Sequence, residues 1–145
     1  MELDKKLLES EYFHLQSEIE NYDNKSLTIK AWSVSVAGFI AGSSAFTENK
    51  LVILFAALVS LMFWVIDASW KSFQYSHYIR IGKIESYMRG ELKELANFQI
   101  TKSWIKSHKK GGTFRFFKIL FFLHVILPHG VMFVLLSALY FYLIN

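Results

Sequence analysis

The feature that most limits how this chain can fold is a pair of uncharged apolar runs separated by four polar residues. The first run covers residues 31–46, the second covers residues 51–66, and residues 47–50 lie between them. Extended back to Ile29, the first run is about 18 residues, or about 27 Å of helix, which just crosses a hydrocarbon core. The short polar connection predicts that the two runs form a tight helical hairpin in a membrane.

Composition narrows the chemistry that the chain can perform. Its 145 residues are 53% hydrophobic, which is too apolar for disorder, and they include no cysteine. Disulfides, thiolate nucleophiles and the common structural zinc sites are therefore excluded. No nucleophile elbow, phosphate loop or dinucleotide fingerprint is present, so we expect neither an enzyme nor a cofactor. The five histidines do not follow a metal-ligand spacing, and we expect no metal.

The N-terminal region predicts an amphipathic helix in residues 1–28. Its apolar positions alternate steps of four and three, as a heptad seam does. The seam runs through Leu8, Tyr12, Leu15, Ile19, Tyr22, Ser26 and Ile29. A seam of this kind needs a partner, which is either another helix of the same subunit or a copy of itself in an oligomer.

The C-terminal half predicts a basic cytoplasmic part followed by a return to the membrane. Residues 69–113 are charged and helical in their spacing, with a break at Gly90, a further helix over residues 91–104 and a second break at Gly111-Gly112. Residues 114–123 are basic and aromatic and should lie at the membrane interface. A bend at Leu127-Pro128 then begins a third span over residues 128–144. A single tilted and kinked span over residues 114–144 is the alternative.

The sequence thus predicts an all-α integral membrane protein with three transmembrane helices. Its divisions are an N-terminal helix (1–28), a transmembrane hairpin (29–68), a basic segment (69–113) and an interfacial segment with the third span (114–145). Eleven basic residues between positions 71 and 118 place the N-terminus and residues 71–113 inside the cell and Asn145 outside. Three helices cannot enclose a water path alone, so we expect a homo-oligomer in membrane lipid.

Two features of the hairpin are candidates for a pore. Gly38 and Gly42, with Ser35 at a similar spacing, form a small-residue face that lets another helix approach closely. That helix is either the second span of the same hairpin or a neighbouring subunit. Asp67 lies at the inner end of the second span, where an oligomer would form a ring of charge favouring cations. The alternative for Asp67 is an interfacial ion pair with Lys71 or Lys30.

The basic segment has the composition of a site for single-stranded nucleic acid. Aromatic side chains stack on bases, and basic side chains neutralise phosphates. The candidate ligand-binding residues are Tyr75, Tyr78, Arg80, Lys83, Trp104 and Lys106. The alternative is that these basic residues only orient the chain and contact anionic lipid.

Four stretches resemble a known family. They are residues 11–16 (EYFHLQ), 22–25 (YDNK), 28–34 (TIKAWSV) and 64–75 (WVIDASWKSFQY). Together with the close hairpin, they resemble the small SLATT-like membrane effectors of bacterial anti-phage defence, and the membrane partner of the nucleotidyltransferase in the Hailong system. The resemblance covers residues 8–90.

The resemblance implies an oligomeric pore in the bacterial inner membrane whose opening damages the infected cell. A nucleotide signal made by a partner nucleotidyltransferase would control it, and in the Hailong case a short deoxyadenylate strand would hold the channel closed. A different function remains open, namely a non-conducting subunit that docks a cytoplasmic partner through its N-terminal helix. The first span is rich in Ser, Gly and Ala, so it tolerates the wet face that a pore requires.

Overall fold

The structure is a computed structural model that describes residues 2–47 and 49–145, and this part of the chain is helical with no strand. The first long helix, α1, is followed by a short 3-10 turn at Ser44–Phe46. The helices are α1 (Glu2–Ser43), α2 (Leu51–Met88), α3 (Ile100–Leu120), α4 (Leu123–Ile126) and α5 (His129–Ile144). The all-α prediction is confirmed for these residues.

Helices α1 and α2 form one long antiparallel hairpin. At about 1.5 Å per residue, the 42 residues of α1 and the 38 residues of α2 run about 63 and 57 Å. The N-terminal helix and the first apolar run are one continuous helix, because no proline or glycine interrupts the chain before Gly38. The predicted boundaries at 28 and 68 therefore fall inside helices.

Three clusters of buried apolar side chains hold the bundle together along its length. The distal cluster, at the end away from the hairpin turn, joins Leu8, Leu15, Ile19, Ile81 and Ile84. The middle cluster joins Ala68, Ile119 and Val125, and the turn cluster joins Ala37, Ile53, Ala56, Ala57 and Leu136. The predicted seam of α1 thus packs on α2 of the same subunit, which was the first of the two alternatives.

Large apolar side chains remain exposed around the turn cluster. They include Trp32, Phe39, Phe46, Phe55, Leu58, Met62, Val134, Leu135 and Phe141. A contiguous apolar surface of this kind marks a membrane or partner contact. Among the described residues, only α2 is both long and apolar enough to cross a membrane, and α5 is apolar but has 16 residues.

The segment between α2 and α3 differs from the prediction. The predicted break at Gly90 is confirmed, since α2 ends just before this residue and its φ is +80°. The helix predicted over residues 91–104 is wrong, because α3 begins only at Ile100. Gly112, with a φ of +50° and a ψ of −156°, is not helical and divides α3 into two stretches at a kink, so the break predicted at Gly111-Gly112 is confirmed. The chain then breaks before α4 and again at Leu127-Pro128, where the bend was predicted.

The two ends of the bundle are distinct in their contents. Lys50 in the turn donates a hydrogen bond to the carbonyl oxygen of Leu143, so the turn and the end of α5 lie together. At the other end, the amide of Asn97 donates to the carboxylate of Asp4 at 3.1 Å. The basic segment therefore lies at the end opposite the hairpin turn, which we call the distal end.

Candidate functional site

The small-residue face of α1 is exposed and lacks a partner within the subunit. Ser35, Gly38 and Gly42 all lie on the surface, and a Cβ atom added to either glycine would meet nothing within 4 Å. Ala37 on the opposite side of α1 makes the hairpin contact instead, against Ala56 and Ala57. The glycine pair therefore does not serve the intrasubunit packing that was one of its two predicted uses.

Asp67 is fully buried and paired, not open to water. Its carboxylate accepts hydrogen bonds of 2.5 Å from the Ser26 hydroxyl and from the Lys30 ammonium. The predicted alternative of a pair with Lys30 is thus what the structure contains, whereas Lys71 pairs with Asp23 at 2.6 Å. A ring of charge at a pore mouth stays a prediction, and it requires Asp67 to leave this pair.

His129 connects the same carboxylate to a third helix. Its Nε2 lies 3.5 Å from the carboxylate of Asp67, and its Nδ1 lies 2.8 Å from the hydroxyl of Ser33, with all three residues fully buried. These groups, with Ser26 and Lys30, form what we call the polar network, which joins α1, α2 and the start of α5.

Sequence reasoning offered the pair of Asp67 with Lys30 as an alternative, but it missed the parts of the polar network that His129 and Ser33 contribute, because these residues are far apart in the chain. His129 is 96 positions from Ser33, and no spacing rule links residues across such a distance. A signal did exist, since Asp67 and His129 each stand beside an apolar run, and an ionisable group there needs a partner. No three His, Asp or Glu side chains come together as a group that could hold a metal ion anywhere in residues 2–47 and 49–145.

Arg80, a predicted ligand contact, is committed to the protein itself. Its guanidinium is 2% exposed and donates two hydrogen bonds to the Glu11 carboxylate, at 2.7 and 2.8 Å. It also donates to the carbonyl oxygen of Ala96 at 2.9 Å. Arg80 therefore holds α1 and the segment before α3 against α2, and the Nε and Nη2 donors that it uses for this are not available to a phosphate.

Trp104, another predicted ligand contact, is also used internally. Its indole stacks on the His108 ring with centroids 4.9 Å apart and an interplanar angle of 11°. Its Nε1 donates to the carbonyl oxygen of Phe73 at 3.2 Å, and His77 and Phe73 lie against its ring. Trp104 thus anchors α3 on α2, and one face of its ring is already stacked.

Tyr75 and Tyr78 lie side by side at a separate cavity. Their ring centroids are 5.4 Å apart, and both line a cavity of about 500 Å³ together with Lys71 and Asp23. Burial alone would raise the pKa of Asp23, but hydrogen bonds from Lys71 and Gln74 outweigh it and hold that pKa below its ordinary value. Because Lys71 is paired with the Asp23 carboxylate, the cavity has less net positive charge than the basic residues around it suggest.

A second cavity collects the remaining predicted ligand residues. It has a volume of about 440 Å³ and lies between α2, the segment before α3, and α3 itself. The lysines that line it are Lys83, Lys102, Lys106 and Lys110. None of the four has an ion pair within the described part of the chain. We call this cavity the lysine groove, and it separates Lys83 and Lys106 from Tyr75, Tyr78 and Trp104.

The predicted ligand site is therefore divided in the structure. Of its six residues, Lys83 and Lys106 line the lysine groove without an ion pair, and Arg80 forms a buried wall of that groove. The three aromatic residues lie elsewhere. The geometry offers a free small-residue face on α1, a buried polar network and a groove of unpaired lysines. Neither a protein family, nor a characterised protein, nor a solved structure was found to match this chain.

Proposed function

We propose that this chain is the subunit of a homo-oligomeric, gated membrane pore of the SLATT-like kind, acting in anti-phage defence in the bacterial inner membrane. The N-terminus and the distal end lie in the cytoplasm, and α1, α2 and α5 each cross the membrane. The observation that carries the proposal is the exposed face of Ser35, Gly38 and Gly42 on a helix whose other side is already packed.

The exposed apolar surface supports a membrane location for the turn end of the bundle. Within that surface, Ser35, Gly38 and Gly42 are poor lipid contacts because they offer little apolar area. Small residues permit close helix approach, and a serine hydroxyl tolerates water. At about 24 Å, α5 is shorter than a hydrocarbon core of about 30 Å, a mismatch that local thinning accommodates at modest cost.

The alternative function, a non-conducting subunit that docks a partner, loses its main surface. That proposal requires the seam of the N-terminal helix to be available. Leu8, Leu15 and Ile19 of the seam are instead buried against Ile81 and Ile84. The docking function would have to use another surface, so the pore explains more of the exposed residues.

Control of the pore is proposed to act at the distal end through a nucleotide or oligonucleotide signal. The lysine groove supports this proposal because it holds four lysines without acidic partners. A ligand shifts an open–closed equilibrium only if it binds one state better than the other. Such a signal would come from a partner nucleotidyltransferase, as the resemblance implies.

Topology is the first expectation to test. Single cysteines placed at Lys109 and at Asn145, which are both exposed, should react with a membrane-impermeant thiol reagent from opposite sides, because an odd number of spans separates them. The measurement is labelling in intact cells against labelling in inverted vesicles, and the absence of native cysteine removes background. Labelling of both positions from one side would contradict the three-span arrangement.

Assembly through α1 is the second expectation. Gly42→Ile should shift the protein to smaller oligomers and abolish current in planar bilayers, because the added side chain holds a neighbouring helix away from the glycine face. Native mass spectrometry and conductance report the two effects. Gly82→Ile is the matched control, since a Cβ at Gly82 also meets nothing within 4 Å but lies on α2 near the distal end.

Two outcomes would contradict this expectation. If Gly42→Ile keeps the oligomer and the current, the glycine face contacts lipid and the pore lies elsewhere. If the wild-type protein carries no current with any nucleotide added, the docking function is preferred.

A further inference from the structure

A third cavity adjoins the lysine groove on the other side of α3. Its volume is about 680 Å³, and it shares Gln99, Lys102 and Lys106 with the groove. Its remaining lining residues are Phe98, Thr101 and Ile105. The two cavities thus form one continuous surface around the first turns of α3, with an aromatic ring at one end and lysines along it.

Phe98 has an unusual backbone and an unused ring. Its φ is +54°, in the left-handed region that bulky residues rarely adopt, and its side chain is 80% exposed. The ring makes no aromatic contact with any other described residue. Strained backbone of this kind gathers at ligand sites, where the surrounding structure maintains it. The strain here holds a large apolar ring out in water, which packing does not explain.

The lysines beside Phe98 form a row and not a cluster. Lys102, Lys106 and Lys110 recur every fourth residue on α3, about 6 Å apart along the helix, and Lys83 faces them from α2. A row of point charges suits a chain of phosphates better than a single phosphate. A flat ring at the end of such a row provides the stacking face that single-stranded nucleic acid uses.

We propose that this surface binds a single-stranded oligonucleotide, with one base stacked on Phe98 and the phosphates on Lys102, Lys106, Lys110 and Lys83. The inference rests on the proposed nucleotide control. It deepens that proposal by assigning base stacking to Phe98 and not to the aromatic residues predicted from the sequence. Tyr75 and Tyr78 line a different cavity, and Trp104 is stacked on His108. Inorganic polyphosphate would use the same lysines but would gain nothing from the ring.

The test compares anionic ligands with and without bases, of which the hexanucleotide and its abasic analogue carry equal charge. Full-length protein in detergent is titrated with fluorescent hexathymidylate, with an abasic hexamer of the same length, and with inorganic polyphosphate. Stacking contributes about 1–3 kcal/mol per base, so Phe98→Ala should weaken hexathymidylate binding about 5- to 150-fold and leave the abasic hexamer unchanged. Phe98→Tyr should restore the affinity.

Two further variants separate the ring from the backbone and from the charge. Phe98→Gly suits a positive φ, so it should fold at least as well as the wild type while losing base-selective binding. Lys106→Gln should weaken all three ligands alike and reduce the salt slope for hexathymidylate by about 0.7. Melting temperatures of each variant confirm that it is folded.

Equal binding of all three ligands by the wild type, or an equal effect of Phe98→Ala on hexathymidylate and the abasic hexamer, would overturn the proposal. Conductance recorded in parallel separates the test of the oligonucleotide site from the test of the pore. Base-selective binding that depends on Phe98, in a protein that carries no current, supports the site and refutes the pore. Current without base-selective binding refutes the site and leaves the pore.

Discussion

Arg80→Met is expected to destabilise the protein by about 3–5 kcal/mol, the usual cost of removing one member of a buried ion pair. The substitution leaves the Glu11 carboxylate, which is almost as buried as Arg80, without its two hydrogen bonds. It also removes the donor to the Ala96 carbonyl oxygen. The readout is the free energy of unfolding of the detergent-solubilised protein in guanidinium chloride.

A double variant shows whether the loss comes from the unpaired charge. Glu11→Leu combined with Arg80→Met replaces the pair by apolar side chains in the distal cluster and should recover most of the stability. Lys83→Met, an exposed lysine three residues further along α2, should change the free energy of unfolding by less than about 0.5 kcal/mol. If the double variant is no more stable than Arg80→Met, the two side chains are not coupled as the structure indicates.

The same pair explains where sequence reasoning about Arg80 failed. From composition alone, Arg80 was interpreted as one of the basic residues that contact a ligand. No spacing rule links it to Glu11, which lies 69 positions earlier. The clue was local, because Glu11 and Leu15 are four residues apart and therefore lie on one face of α1, and that face is buried. An acid on a buried seam needs a cation from the opposing helix.

The parts that the sequence predicted well are those that local pattern determines. The polar interruption at residues 47–50 gives the hairpin, and the heptad spacing of Leu8, Leu15 and Ile19 gives the packed face of α1. The glycine at position 90 ends α2 because its positive φ does not continue a helix. These features depend on neighbours within about two helical turns.

The parts that it missed depend on contacts between distant residues. Residues 91–96 are good helix formers, yet they are not helical, because Arg80 binds the Ala96 carbonyl oxygen and Phe98 adopts a left-handed backbone. Tertiary contacts here override a propensity of a few tenths of a kcal/mol per residue. The stacking of Trp104 and the exposure of Phe98 follow from that path of the chain and could not be inferred from aromatic content.

Asp67→Asn is expected to destabilise the protein by about 3 kcal/mol, because it leaves the Lys30 ammonium without its counter-charge in a largely buried position. The amide keeps the shape of the carboxylate. Asp23→Asn is the matched control, since Asp23 is half-exposed and its pair with Lys71 should contribute no more than about 1 kcal/mol. Thermal and denaturant unfolding compare the two variants, and equal effects would contradict the structural importance of the polar network.

Lys30→Met separates the two roles proposed for Asp67. It leaves the charge of Asp67 in place and removes the cation that holds it between α1, α2 and α5. If opening turns Asp67 toward a pore, Lys30→Met should favour the open state and raise cation current, whereas Asp67→Asn should lower cation selectivity. If Asp67 only anchors the helices, both variants should reduce stability and current together, with unchanged reversal potentials. Both substitutions break the ion pair between Lys30 and Asp67, but Lys30→Met leaves the negative charge and Asp67→Asn leaves the positive one. Opposite changes in current would therefore identify Asp67 as a gating residue.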